Sequence, residues 1–246
     1  MDIGELSRDL SPHVERLRAA RASVADPPRW YLYETLANVG HMDALLEDPY
    51  RDLGHLAGGR PVADIGAADG DLAFTLEAAA GWEVDIVDTA KANMNGLEGA
   101  RRLKEALHSN VGIHDIDLDS QFRLPRDSYG LVLFLGILYH LQNPFYVLQQ
   151  LAKAAEYCLV STRVARFAGP DGTNIADLPV GYLVGPAELN NDASNYWIFS
   201  PRGIEQLVSR AGWEVVSGIN VGAVETSRPD NLEDDERTFM LLRSPR

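Results

Sequence analysis

Residues 61–71, Pro-Val-Ala-Asp-Ile-Gly-Ala-Ala-Asp-Gly-Asp, decide the fold. Pro61 to Ile65 is a short apolar run that stops at Gly66, and Asp71 to Ala80 has the composition of a helix. A strand that ends at a glycine and turns straight into a helix opens a parallel α/β sheet. The alternation continues downstream. Trp82–Asp88 alternates as a strand, Lys91–His108 reads as a helix, and Val111–Ile116 is strand-like. Leu131–Leu138 is almost wholly apolar, as a parallel strand buried on both faces should be. Phe145–Ala155 is helical and Tyr157–Thr162 is a strand. Ser200-Pro201 starts a helix that runs to Ala211, with proline in its first turn. Trp213–Ile219 and Arg237–Leu242 close the series, separated by the acidic loop Glu233–Glu236. The expected class is α/β, a mostly parallel sheet with helices on both faces.

Working outward, residues 1–26 read as an amphipathic helix broken at Ala25-Asp-Pro-Pro28, and Trp30 to Leu46 as a second helix. Both precede the first strand, so residues 1–58 are expected to form a helical cap and 59–246 the core, with a Gly-, Pro-, Asn- and Asp-rich insertion at 164–200. The 246-residue chain carries 22 Lys and Arg against 36 Asp and Glu, a formal charge of −14. That field opposes DNA, RNA and anionic membranes. The densest basic stretch, Arg101–Lys104, reads as a solvated helix face. The single cysteine, Cys158, excludes an intrachain disulfide and a cysteine-based metal site. No targeting or membrane-spanning segment is visible, and a cytoplasmic protein is expected.

Ligands on parallel sheets sit beyond the carboxyl ends of the strands. Four strand ends carry suggestive residues. The turn Asp64–Gly70 lacks the dinucleotide fingerprint, because Ala68 and Asp71 stand where glycines are needed, and no P-loop lysine follows. Asp69 and Asp71 would repel a pyrophosphate, so a nucleoside without phosphates fits better. Asp88 lies 22 positions after Gly66, where a carboxylate accepts both ribose hydroxyls; the alternative is a helix cap. In His114-Asp-Ile-Asp117 a carboxylate could accept the adenine amino group and a backbone N–H could donate to the ring; the alternative is an Asp-rich turn. Leu135-Gly-Ile-Leu-Tyr-His140 leaves the apolar strand with Gly136 for close backbone approach and Tyr139 and His140 as a polar pair.

Taken together, a glycine turn, an acidic residue, an Asp-Ile pair and a Gly-x-x-Tyr-His turn at successive strand ends resemble the Rossmann-like S-adenosylmethionine-dependent methyltransferases. The resemblance covers roughly residues 61 to 243. It implies a seven-stranded sheet with the last strand antiparallel, S-adenosylmethionine as cofactor, S-adenosylhomocysteine as product and no metal. It also implies cofactor-binding roles for Asp64, Gly66 and Ala67 at the methionine part, for Asp88 and Thr89 at the ribose, for Asp115 and Ile116 at the adenine, and for Leu135 and Gly136. "LFLGILYHLQNP", "NYWIFSPRGIEQLVSRAGW" and "RWYLYETL" are further similar to the branch containing tRNA wobble-uridine carboxymethyltransferases. That branch holds the carboxylate of carboxy-S-adenosylmethionine with a basic residue before the core, the tyrosine of Leu-Tyr-His and an arginine on the last strand. Tyr139 and Arg237 match the last two, while Arg29 is only near the first.

The reading that follows is a methyltransferase acting on a small molecule, with His140 as candidate base and Tyr139 to orient the acceptor. Tyr31, Tyr139, Asn195, Tyr196, Trp197 and Arg237 are the expected substrate residues. Lacking a third basic residue for a carboxylate clamp, plain S-adenosylmethionine is the expected cofactor. The alternatives are a tRNA wobble-uridine methyl- or carboxymethyltransferase, which the charge disfavours, and a non-catalytic S-adenosylmethionine-binding module.

Overall fold

The apolar run read at residues 61–65 forms β1 (Val62–Ile65), every residue of it buried. The computed structural model describes residues 1–189, 192–231 and 233–245, which divide into two compact units, Met1–Leu133 and Phe134–Arg246. In the first unit, helices α1 (Ile3–Arg8), α2 (Leu10–Ser23), α3 (Asn38–Leu45) and α4 (Leu53–Ala57) precede β1. Asp2 caps α1, accepting from the Gly4 and Glu5 N–H groups. The continuous helix expected over residues 1–26 is therefore two, split at Asp9. Thr35–Ala37 adds a 3₁₀ turn ahead of α3, so Trp30–Leu46 is helical only in its second half.

After β1 come α5 (Asp71–Ala80), β2 (Val84–Asp88), α6 (Glu98–Leu107), β3 (Gly112–Asp115) and β4 (Tyr129–Leu135). The strands of this unit lie side by side in the order β4-β1-β2-β3, all parallel, with Val62 level with both Val84 and Leu131. A Cβ on Gly130 would lie 1.8 Å from the Ala57 carbonyl oxygen, so glycine lets α4 rest directly on β4. α6 begins later than its composition suggests. Asn93 and Asn95 take up the N–H groups of Asn95, Leu97 and Gly99, and Leu97 turns left-handed, before the helix sets off at Glu98. On α6, Arg102 pairs with Glu98 one turn away, as a solvated face allows.

The second unit holds α7 (Pro144–Ala154), β5 (Ala155–Val164), a hairpin of β6 (Phe167–Ala168) and β7 (Thr173–Asn174), β8 (Gly181–Leu183), β9 (Trp197–Phe199), α8 (Pro201–Arg210), β10 (Glu214–Gly222) and β11 (Glu236–Arg243). β11 lies between β5 and β10, antiparallel to both. Ser200 caps α8 by accepting from the Gly203 N–H, and Pro201 takes its first turn. The insertion at 164–200 is less irregular than its composition suggests. β9 meets β5 through Val164 and Phe199 and pairs with β8, and Ala165, Val184, Leu189 and Ile198 gather with Tyr139 in a small core. Insertion positions 190 and 191 lie outside the described residues. The class is as expected, a mostly parallel sheet with intervening helices that closes on an antiparallel strand pair.

Candidate functional site

In the first unit the chain leaves β1 through three left-handed residues, Gly66 (φ 69°), Ala68 (φ 56°) and Gly70 (φ 86°). Ala68 adopts this conformation at a cost of about 1–2 kcal/mol. A Cβ on Gly70 would come within 2.5 Å of Ile86 Cδ1, so only glycine fits between the turn and β2. The Gly66 N–H donates to the Val87 carbonyl at 2.9 Å, which pins the turn to β2. Ala67 is buried, and its carbonyl accepts from the Gly70 N–H. Asp64, 5% exposed, has its pKa pushed up to about 7. Burial is the main cause, Asp88 and Asp71 add repulsion, and the Ala73 N–H opposes them.

The two carboxylates that disfavour a pyrophosphate fasten the N-terminal segment. Asp69 accepts from the Tyr31 N–H and the Asn95 side-chain amide, both at 2.8 Å. Asp71 pairs with Arg21 at 2.5 Å, and the Arg21 guanidinium sits 5.4 Å from the centre of the Trp30 ring. The Tyr31 hydroxyl accepts from the Met94 N–H at 2.7 Å. Tyr31, expected at the substrate, is thus tied at both ends to the loops after β1 and β2.

At the end of β2, Asp88 accepts from the Thr89 N–H at 2.7 Å on one oxygen and from Asn93 Nδ2 at 2.9 Å on the other. A carboxylate offers about four lone-pair sites, so two remain for a diol. Burial pushes its pKa up. At the end of β3, Asp115 accepts from the Ala90 N–H at 2.9 Å, and the Ile116 N–H donates to the Asp88 carbonyl at 2.8 Å. That N–H is therefore engaged, which leaves Ile116 its side chain to offer a ring. Asp64, Asp69, Asp71, Asp88 and Asp115 against Arg21 make a donor set suited to a ligand bearing sulfonium and ammonium charges, with no cationic cradle for phosphate. The residues fit S-adenosylmethionine.

In the second unit β4 ends at Leu135, half-buried, and Gly136 turns left-handed (φ 76°) while its N–H donates to the Ser161 carbonyl. Leu138–His140 form a 3₁₀ turn. Tyr139 is buried in the insertion's core, and its carbonyl accepts from the Tyr196 N–H at 2.8 Å. His140 Nδ1 lies 3.0 Å from both the carbonyl oxygen and the hydroxyl of Ser194. The carbonyl can only accept, and the hydroxyl hydrogen goes to Asp192 at 2.6 Å, so Nδ1 carries the imidazole hydrogen. Nε2 is left as the basic nitrogen. Burial holds the His140 pKa below its usual value; the Ser194 carbonyl and Asp192 oppose that, and Arg237 adds to it.

Asn195 is buried and donates to the Asp192 carbonyl. Trp197 is half-buried, donates to the Gln142 carbonyl at 3.2 Å and stacks against Phe199. The Tyr196 hydroxyl accepts from Gln142. Arg237 has its guanidinium 5.6 Å from the centre of the Tyr139 ring. The sequence reading missed Asp192, Ser194 and Asn93, whose roles depend on partners that composition cannot reveal. It also missed Arg163, a charge inside an apolar strand, which was the available signal. Among the described residues no helix is long and apolar enough to cross a membrane, and no cluster of three or more metal-capable side chains is present.

A family model described as a methyltransferase domain matches residues 34–218. No curated protein matches the sequence. Among solved structures the chain is similar to a methyltransferase candidate of Bacillus halodurans C-125, with TM-score 0.58, 14% identity, and 87% of this chain and 100% of that one covered. It is similar to the N-terminal domain of EvdMO1, crystallised in the presence of S-adenosylhomocysteine and D-fucose (0.54, 16%, 81% and 82%). It is also similar to the [4+2]-cyclase SpnF (0.54, 12%, 96% and 93%). These likenesses are of fold, the Rossmann-like fold of methyltransferases.

Proposed function

The chain belongs to the methyltransferase-domain family, and we propose that it transfers the methyl group of S-adenosylmethionine to a small-molecule acceptor. The observation that carries this is Asp88, a half-buried carboxylate at the end of β2 with a lone pair open on each oxygen, beside a turn dominated by acidic side chains. We assign Asp88 and Thr89 to the ribose, Asp115 and the Ile116 side chain to the adenine, Asp64, Gly66 and Ala67 to the methionine part, and Leu135 and Gly136 to the remaining cofactor contacts. When bound, the cofactor supplies an electrophilic methyl carbon, and displacement leaves S-adenosylhomocysteine. The protein's share is alignment and exclusion of water. His140, its hydrogen held on Nδ1, takes the acceptor's proton on Nε2, and Tyr139, Tyr31, Asn195, Tyr196, Trp197 and Arg237 shape acceptor recognition. We take 1–58 as a cap on a core of 59–246.

The net charge of −14 favours a small acceptor over tRNA. So does the neighbour crystallised with D-fucose, a small hydroxylated molecule. The single cysteine, Cys158, accords with the cytoplasmic setting we assign. Calorimetry with S-adenosylhomocysteine, ATP and NAD tests the cofactor; binding of the first alone is expected. Incubation with methyl-labelled cofactor and either a small-metabolite extract or bulk tRNA tests the acceptor. Label in the small-molecule fraction is expected. Label in tRNA would support the tRNA reading. No label with either, despite tight cofactor binding, would support a non-methylating role, as in a fold that also serves a cyclase.

A further inference from the structure

One edge of β8 pairs with β9, and its other edge meets no strand among the described residues. The register fixes which backbone groups point each way. The Ser200 N–H donates to the Val180 carbonyl, and the Val184 N–H to the Tyr196 carbonyl. Bonded and non-bonded pairs alternate along an antiparallel ladder, so Tyr182 and Ile198 form the bonded pair between them. The N–H and C=O groups of Gly181 and Leu183 therefore point outward from the free edge. Edge strands are commonly blunted by charge or by proline. This one is not. Positions 178–187 carry no Asp, Glu, Lys, Arg or His, and Pro179 and Pro186 lie outside the strand.

The side chains add to this. Gly181 stands opposite Phe199 and Leu183 opposite Trp197, so these four positions share one face. Tyr182 turns the other way, against the small core around Tyr139. A Cβ on Gly181 would come within 2.9 Å of Phe199 Cε1, so that ring lies over the glycine. Leu183 is 61% exposed. A groove of about 460 Å³ opens on the same stretch, lined by Phe145, Val180, Gly181, Phe199, Leu207 and Arg210 among others. Phe145, Leu178, Val180 and Leu183 are half of the eight large hydrophobic side chains exposed among the described residues, so apolar surface is concentrated at this edge.

We propose that β8 pairs antiparallel with β8 of a second copy of the chain, about a two-fold axis at Tyr182. In that register each Gly181 stands opposite the Leu183 of the other copy. The four outward backbone groups of each copy then meet their complements in four N–H···O=C bonds, with none left over. Charge points to the same occupant. Two chains of net charge −14 repel wherever charged surfaces meet, and this edge carries no charge. Shape agrees too. Leu183 of the second copy lies beside Gly181, where the missing side chain leaves the Phe199 ring to receive it, and the exchange is reciprocal. The flanking prolines keep the pairing short, and the two-fold axis closes it at a dimer.

Sedimentation velocity of the full chain, from micromolar to submillimolar concentration, tests this. A monomer–dimer equilibrium is expected, reaching twice the 27.0 kDa of one chain. Leu183→Lys replaces a side chain already in water, so the melting temperature at low concentration should match the parent's while dimerisation weakens at least tenfold. Leu32→Lys, at an exposed position of the first unit, should leave dimerisation unchanged. Tyr182→Cys sets two thiols on a non-bonded pair about 4.5 Å apart at Cα, within disulfide reach. Oxidation should then give a covalent dimer on a non-reducing gel, and none from the parent, whose one cysteine, Cys158, is buried. A parent that stays monomeric throughout overturns the proposal and leaves the edge to a strand of another protein. A dimer that resists Leu183→Lys, or that gives no cross-link through Tyr182→Cys, overturns it as well, because the contact then lies elsewhere. If Leu183→Lys lowers the melting temperature, the cross-link alone decides.

Discussion

Replacing Asp88 with alanine probes the cofactor assignment most directly. Each carboxylate oxygen already holds one protein donor, the Thr89 N–H at 2.7 Å and Asn93 Nδ2 at 2.9 Å. The remaining lone pairs can take the two ribose hydroxyls. A hydrogen bond to a charged group contributes about 1.5–3 kcal/mol, so the pair together reaches about 3–6 kcal/mol. Burial of Asp88 already raises its pKa in the free protein, a burden that alanine relieves in free and bound states alike, so it bears on stability and not on affinity. A loss of at least tenfold in S-adenosylhomocysteine affinity, about 1.4 kcal/mol, is therefore the minimum expected. Asn93 keeps its other contacts, accepting from the Asn95 and Leu97 N–H groups, so the loop should persist. Isothermal calorimetry gives the affinity and urea unfolding gives the stability, which is expected to hold or rise. Equal affinities for the variant and the parent, with both folded, would refute the ribose assignment.

With His140 as the base, activity should fall on the acid side at a pH below the usual histidine value, because burial lowers its pKa. The Asp192 charge raises that pKa, so Asp192→Asn should move the acid limb of the pH–rate profile to still lower pH; an unmoved limb counts against His140 as the base. Asp64 keeps its proton to about pH 7 when folded and loses it near 3.8 when unfolded. Its contribution to stability is therefore full below pH 4 and lost as pH rises to 7. Asp64→Asn should be more stable than the parent at pH 8, by up to about 4 kcal/mol, and equal to it at pH 4 by chemical denaturation; a difference independent of pH would exclude the effect. Trp197→Ala should reduce turnover more than S-adenosylhomocysteine binding, whereas an equal loss of both with a lower melting temperature would make Trp197 a packing residue.

Much of the parallel sheet was legible because strands buried on both faces leave little room for polar residues, as at Val62–Ile65 and Leu131–Leu133. The glycine turn was legible because steric limits select the residue: nothing larger fits at position 70. Helix starts were less so. Lys91 to Leu97 has helical composition, yet Asn93 and Asn95 offer its backbone a competing set of hydrogen bonds. The insertion's strands are two or three residues long, below the length at which alternation can be read. On the site, residues at strand ends could be picked out by position, as Asp88 was. Residues whose chemistry depends on distant partners could not. Nothing local marks Arg163 as facing Arg237, because only the antiparallel register brings them level.

The tethers on Asp69 also bear on how the chain is made. Asp69 is 2% exposed and is satisfied from both directions along the sequence, by the Tyr31 N–H behind it and by Asn95 ahead of it. A ribosome releases Tyr31 first, the turn next and Asn95 last. At roughly 5–20 residues per second, about 3–13 s separate the first partner from the last. During that interval a nascent chain can dock its N-terminal segment onto the turn but cannot finish the carboxylate's shell. Completion of the turn is thus timed by the emergence of β2 and the loop that follows it, so Asp88, the carboxylate we assign to the ribose, and the last tether of the turn become available almost together.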